Sequence, residues 1–231
     1  MKRFIPLFLL AILALLQEVQ AQDPQYTQFY ANPLYLNPAF AGATGQGRAS
    51  VNYRNQWPQL DASYVTYSAS YDQYVEKYRS GFGFFINNDR VTSKTIANTP
   101  ALTSTSFAGY YSYVAPLNNK LTLQMGLSAG VIMRDLGLNN LLFSDEVFIN
   151  NQGVISYTTS PDQGNLANNT TKTNFDAAAG ALLYSKNFWI GASANHINQP
   201  DMALIAGSDP LQMRISVHAG YQIGFADVNR S

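Results

Sequence analysis

Residues Lys120 to Arg134 read KLTLQMGLSAGVIMR, and the fold is decided in this stretch. Leu121, Leu123, Met125, Leu127, Ala129, Val131 and Met133 take every second position. Lys120, Thr122, Gln124, Gly126, Ser128, Gly130 and Arg134 fill the other face, with Ile132 the one exception. A period of two is the mark of a strand with one apolar face. The run is more than twice the mean strand length of about 5–6 residues in soluble proteins, and long enough to cross a bilayer at a tilt.

Leu211 to Ile223 repeats the pattern, with Leu211, Met213, Ile215, Val217, Ala219, Tyr221 and Ile223 opposed to Gln212, Arg214, Ser216, His218, Gly220 and Gln222. Weaker alternation runs through Arg48–Trp57, Ser63–Asp72, Ser80–Asn87, Leu102–Val114, Asn174–Ser185 and Phe188–His196, giving eight strands. Turn-like residues separate the runs at Pro58, Asn87-Asn88-Asp89, Pro116–Asn119 and Pro200–Pro210. Residues Asp135–Lys172 form a long Asn-, Thr-, Ser- and Gly-rich insertion of the kind barrels carry as extracellular loops. Helical periodicity is absent beyond the first twenty residues.

Composition points the same way. Of 231 residues only 12% are charged, fourteen basic against fourteen acidic, about half the share in an ordinary soluble domain. Fifteen Tyr and thirteen Phe accompany abundant uncharged polar residues, so rings suit a lipid face while small polar groups suit an interior. A soluble sandwich or lipocalin-like barrel has the same alternation with its apolar face turned inward. Its outer face would then be Ser, Thr, Gly and Gln with few Lys or Glu, which makes a poor solvent surface. Balanced charge removes a nucleic-acid footprint, and the absence of Cys removes disulfides and thiolate metal sites.

Residues 1–21 have the layout of a secretory signal peptide: Lys2 and Arg3, an apolar run from Phe4 to Leu16, then Val19-Gln20-Ala21. Thirteen apolar residues span about 20 Å as a helix, short of a hydrocarbon core of roughly 30 Å. No other stretch approaches eighteen apolar residues, so a membrane location requires strands. The expected architecture is all-β: an antiparallel transmembrane β-barrel over residues 47–231, preceded by an extended segment over 22–46.

That segment, from Gln22-Asp23-Pro24 through Tyr26, Phe29, Tyr30, Asn32-Pro33, Tyr35 and Asn37-Pro38-Ala39-Phe40-Ala41-Gly42, has too many prolines for a strand or helix. It closely resembles the opening of the PorP/SprF family of type IX secretion proteins. Tyr53-Arg54-Asn55-Gln56-Trp57, Gly81 and Gly83 followed by Asp89, Trp189-Ile190-Gly191 with His196 and Gln199-Pro200, and His218-Ala219-Gly220-Tyr221 are also similar to that family. The resemblance implies an outer-membrane barrel of Bacteroidetes accessory to type IX secretion and, in gliding cells, to export of surface adhesins. It also implies more strands than eight, because family members continue further; eight strands left open would expose two polar edges, each unpaired group costing several kcal/mol in lipid.

Candidate chemistry is sparse. His196 and His218 fall on different strands, and His218 shares a polar face with Arg214 and Ser216, which suits a hydrogen-bonding lumen residue better than a catalytic base. No His-Glu-x-x-His or phosphate-loop pattern occurs. Asp135, Asp145 and Glu146 lack the regular spacing of a calcium loop, so neither metal nor cofactor is expected. Arg48, Arg54, Arg134 and Arg214 project from polar faces; they either pair with Asp61, Asp72 and Asp176 to fill the interior or shape an anion-preferring pore. Tyr26, Phe29, Tyr30, Tyr35 and Phe40 are candidates for a plug or partner contact, or for local packing, and Trp57 for a girdle. The expected role is a non-enzymatic secretion accessory meeting outer-membrane lipid, type IX components and surface-protein cargo. A small porin-like channel is the alternative, and a hydrolase dependent on the histidines has no supporting feature.

Overall fold

A computed structural model describes residues 31–60, 62–93, 99–137, 147–149, 155–157, 171–204 and 208–222. The strands are β1 (Arg48–Gln56), β2 (Ala62–Val75), β3 (Ser80–Ser93), β4 (Thr99–Pro116), β5 (Thr122–Leu136), β6 (Val147–Ile149), β7 (Ile155–Tyr157), β8 (Thr171–Tyr184), β9 (Phe188–Asn195) and β10 (Arg214–Tyr221). Eight of them form one antiparallel sheet in the order β1-β2-β3-β4-β5-β8-β9-β10. All eight expected strands are therefore present. Within the insertion expected as a long extracellular-type loop, β6 and β7 pair as a small separate two-stranded sheet.

Two expectations change. Asn87-Asn88-Asp89 does not interrupt β3, which runs on to Ser93. Asn87 is buried on the concave face, Asp89 accepts from the Thr66 hydroxyl there, and Asn88 donates to Thr105 Oγ1. Residues that favour turns in water serve a strand whose inner face is polar. The segment before β1 is also not merely extended: Pro33–Leu36 is one helical turn, α1, and Pro38–Phe40 a 3-10 turn, each with proline where no backbone donor is needed.

Polarity across the sheet is inverted relative to a soluble domain. Val51, Tyr53, Leu127, Phe175, Ile215 and Val217 are exposed on the convex side, while Thr66, Asp72, Ser112, Gln124 and Ser193 are buried on the concave side. Exposed rings pair across neighbouring strands on the convex side, Tyr53 with Tyr67 at 5.1 Å and Phe82 with Tyr111 at 5.4 Å. Among the described residues no helix is long and apolar enough to cross a membrane.

The sheet curls into a half-barrel. A flat sheet of eight strands would be about 34 Å wide at roughly 4.8 Å per interval. Yet residues 32–42, shortened by two helical turns, touch side chains or carbonyls from all eight strands, from Arg48 on β1 to Arg214 and His218 on β10. Only a curled sheet brings those partners within reach. β1 and β10 are its edges, and among the described residues no ladder joins them.

The two ends of the sheet differ. Residues 76–79, 117–121 and 185–187 connect strands at one end, and the two longest connections, β5 to β8 and β9 to β10, lie at the other. After β9, residues 196–204 and 208–213 fold back across the long-loop end. Asn198 replaces a strand residue there: its Oδ1 accepts from Ala177 N at 3.1 Å and its Nδ2 donates to Phe175 O at 2.6 Å. Met202 and Leu211 bury themselves against Ile132 in a small apolar cluster.

Candidate functional site

The concave face is occupied by residues 31–42, and the wall beneath is cut to fit. A Cβ on Gly81 would lie 2.0 Å from Ala41 O, one on Gly126 2.3 Å from Ala39 N, and one on Gly180 2.0 Å from Asn37 Oδ1. All three contacts are closer than a Cβ can tolerate. These glycines, on β3, β5 and β8, form a track: Gly81 and Gly126 let the segment's backbone lie directly against the sheet, and Gly180 leaves room for the Asn37 side chain.

Side chains flanking that track read the segment's main chain. Arg214 donates to Tyr35 O at 2.9 Å and Ser193 to Leu36 O at 2.7 Å. Arg48 donates to Phe40 O at 3.2 Å, and Ser112 and Gln124 both reach Ala41 O, at 2.7 and 2.9 Å. Asp72 accepts from Gly42 N at 2.8 Å and holds Arg48 Nε at 2.9 Å. Each such bond contributes about 1 kcal/mol net, and leaving a buried partner unmatched costs more.

One side chain of the segment is read in detail. Asn37 is fully buried; its Oδ1 accepts from Ala39 N at 2.8 Å, which fixes the orientation of the amide. Its Nδ2 therefore donates, facing Ala181 O at 3.2 Å, Ala192 O at 3.1 Å and His218 Nε2 at 3.3 Å. The His218 ring stacks on Phe40 with centroids 5.3 Å apart. Leu34 is buried at the other end of the segment, where Asn32 reaches Ser68.

Of the residues singled out by sequence, Tyr35, Phe40, Arg48, Arg214 and His218 converge on this segment. The Arg214 guanidinium also lies 4.2 Å from the Tyr35 ring centroid. Tyr26, Phe29 and Tyr30 lie outside the described residues, as do Asp61, Asp145, Glu146 and residues 1–21. Arg54 does not join the group; it donates to Gln56 Oε1 on its own strand. Arg134 also lies apart, bonded to Met202 O and to Asp209 at 3.1 Å. Arg48 pairs with Asp72, one of the three acids expected to neutralise the arginines, whereas Asp176 pairs with His196 Nδ1 at 2.8 Å. Asn37, Ser112, Gln124, Ser193 and the three glycines were not foreseen as site residues.

Between Tyr35 and Leu211 lies a cavity of about 230 Å³ with Asn87, Ser104, Ser106, Ser128 and Asn195 on its walls. Among the described residues no group of three or more His, Asp or Glu gathers as metal ligands do.

The match that decides the family runs over residues 18–231, to the model described as type IX secretion system membrane protein PorP/SprF. The chain belongs to the PorP/SprF family. No curated protein and no solved structure matches it. As a PorP/SprF member it is a membrane component of type IX secretion, and its glycine track and seated amino-terminal segment are features of that component.

The loop over the long-loop end carries a pH-dependent contact. Asp201 accepts from Asp209 N at 2.8 Å and Ala203 N at 3.1 Å, and pairs with Lys172 at 3.2 Å. The backbone donors first, and then Lys172, hold its carboxyl below the ordinary carboxylate pKa. A lowered folded-state pKa gives stability that is present above the ordinary value of about 3.9 and lost as pH falls through the lowered one. Protection of the Ala203 and Asp209 amides against exchange, taken relative to the intrinsic rate at each pH, is expected to hold at neutral pH and fall only below that range. In Asp201→Asn the same amides should exchange without this acid step.

Proposed function

We propose that this chain is a non-enzymatic outer-membrane component of type IX secretion, exported by its amino-terminal signal, that assists export or anchoring of surface proteins. The observation that carries the reading is the inverted sheet. Apolar side chains on the convex side meet hydrocarbon, and the polar concave side is closed by residues 31–42 acting as a plug. A rigid anchor of this kind offers its long-loop end and its plug to translocon components or cargo.

Leu127, exposed midway along β5, tests the lipid assignment. Leu127→Arg is expected to cost about 2–4 kcal/mol at the bilayer midplane, and Ser128→Arg, on the opposite face, much less. Reconstitution yield into vesicles reads the difference; equal yields would remove the convex face from the membrane. Deletion of the gene is expected to block surface delivery of particular proteins while leaving outer-membrane permeability unchanged. Raised permeability to small solutes in the intact strain relative to the deletion, with normal secretion in both, would favour a solute channel instead. The close seating of residues 31–42 on the concave face weighs against that channel.

A further inference from the structure

The wall under residues 31–42 recognises backbone far more than side chains. Arg214, Ser193, Arg48, Ser112 and Gln124 all donate to main-chain carbonyls, and Asp72 accepts from a main-chain amide. Such contacts are available to any chain in this conformation. Side-chain contacts add to this at Leu34, which is buried, and at Tyr35 and Phe40, whose rings meet Arg214 and His218, and four positions set the closest constraints. Asn37 alone has its side chain bonded to the wall's carbonyls, over Gly180. Ala39 and Ala41 are completely buried over Gly126 and Gly81. Gly42 has φ +68°, and a Cβ there would lie 2.8 Å from Gly81 Cα.

Beyond this stretch the connection to β1 is exposed through residues 43–47 and includes Gly45 at φ +73°, with open space around it. Among the described residues, the segment is thus tied to the wall by one short tether and by contacts confined to its own length.

We infer that the glycine track is a peptide-binding site, specific for a turn-forming segment of the form Asn-x-small-x-small-Gly, and that residues 33–42 are its intramolecular occupant. A polypeptide of that chemistry, presented by a partner or cargo, competes for the same wall. The inference rests on the reading of this chain as a handler of secreted polypeptides, although its test uses purified protein and no secretion assay.

Tethering sets the scale of the competition. A short flexible linker presents its own segment at an effective concentration of about millimolar, so an identical free peptide needs about that concentration to displace half of it. Weakening the tethered copy without touching the wall lowers the requirement. The full-length chain in detergent is titrated with a fluorescently labelled peptide of residues 31–42, read by anisotropy. Half-saturation is expected near millimolar for the unmodified chain and at least tenfold lower for Asn37→Ala. Leu34→Ala, which loosens the other end of the tethered copy, should give a gain in the same direction. Adding Gly126→Val to Asn37→Ala should abolish binding by filling the track. A gain of less than tenfold in Asn37→Ala, or equal binding of a scrambled peptide, overturns the inference. A heat-modifiable gel shift on each variant confirms that it is folded before it is scored.

Discussion

Gly126→Val is expected to expel residues 33–42 from the concave face while leaving the eight strands paired. The first atoms a Cβ at this position meets are Ala39 N and Pro38 C at 2.3 Å and Ala39 Cα at 2.6 Å, all main chain, so no flexible side chain can swing aside. Overpacking of this kind costs typically 1–3 kcal/mol, roughly. That cost removes several of the segment's hydrogen bonds, each worth about 1 kcal/mol. The strand itself does not object, since valine is among the residues that strands prefer. Proteolysis in the exposed stretch 43–47 should quicken, and a fluorophore on Thr44→Cys, unique because the chain has no other cysteine, should report a more mobile segment. Gly109→Ala is the control. Its Cβ would meet only Ala129 O, at 3.9 Å, and neither signal should change. Protection of residues 43–47 equal to the unmodified chain in Gly126→Val would mean that the close contact does not govern seating.

The second large effect is expected at Asp72, whose side chain is 1% exposed. Its two oxygens serve Arg48 Nε and Gly42 N, joining β1, β2 and the segment at one point. Removing one partner of a buried pair leaves the other uncompensated, and Arg48 is only a quarter exposed. Asp72→Ala is expected to destabilise by about 3 kcal/mol, toward the lower end of the buried-pair range because Arg48 keeps some access to water. Asp72→Asn keeps an acceptor for Gly42 N and should fall between. Denaturant unfolding in detergent measures both, and a loss below about 0.5 kcal/mol for the alanine variant would place this pair with ordinary surface bridges.

The strands were legible because a single rule, polar in and apolar out, acts along their whole length. Leu121 to Met133 obeys it with one exception, Ile132, and that exception packs against Met202 and Leu211 from the infolded loop. The loop's return could not be read from periodicity, since its bonds to Arg134, Lys172 and Asn174 join residues distant in sequence. The end of β3 was misread because Asn and Asp were weighed as they behave in water, not on a polar inner wall. The seat of the amino-terminal segment was half visible. Tyr35, Phe40, Arg48, Arg214 and His218 stood out by residue type, but Gly126 looked only like a small member of a polar face, Gly81 only like part of a family motif, and Gly180 carried no signal. What makes them a track is register: Gly126 lies directly opposite Gly180, and Gly81 opposite Ser112.

Residues 32–42 are among the first of the described chain to be synthesised and must be among the last to settle. Asn37 needs His218, 181 positions later, and Tyr35 needs Arg214, 179 positions later. Contacts of such separation form slowly. Until β10 arrives, the donors and acceptors meant for one another stay wet, so occupancy of the track serves as a timestamp marking a finished wall.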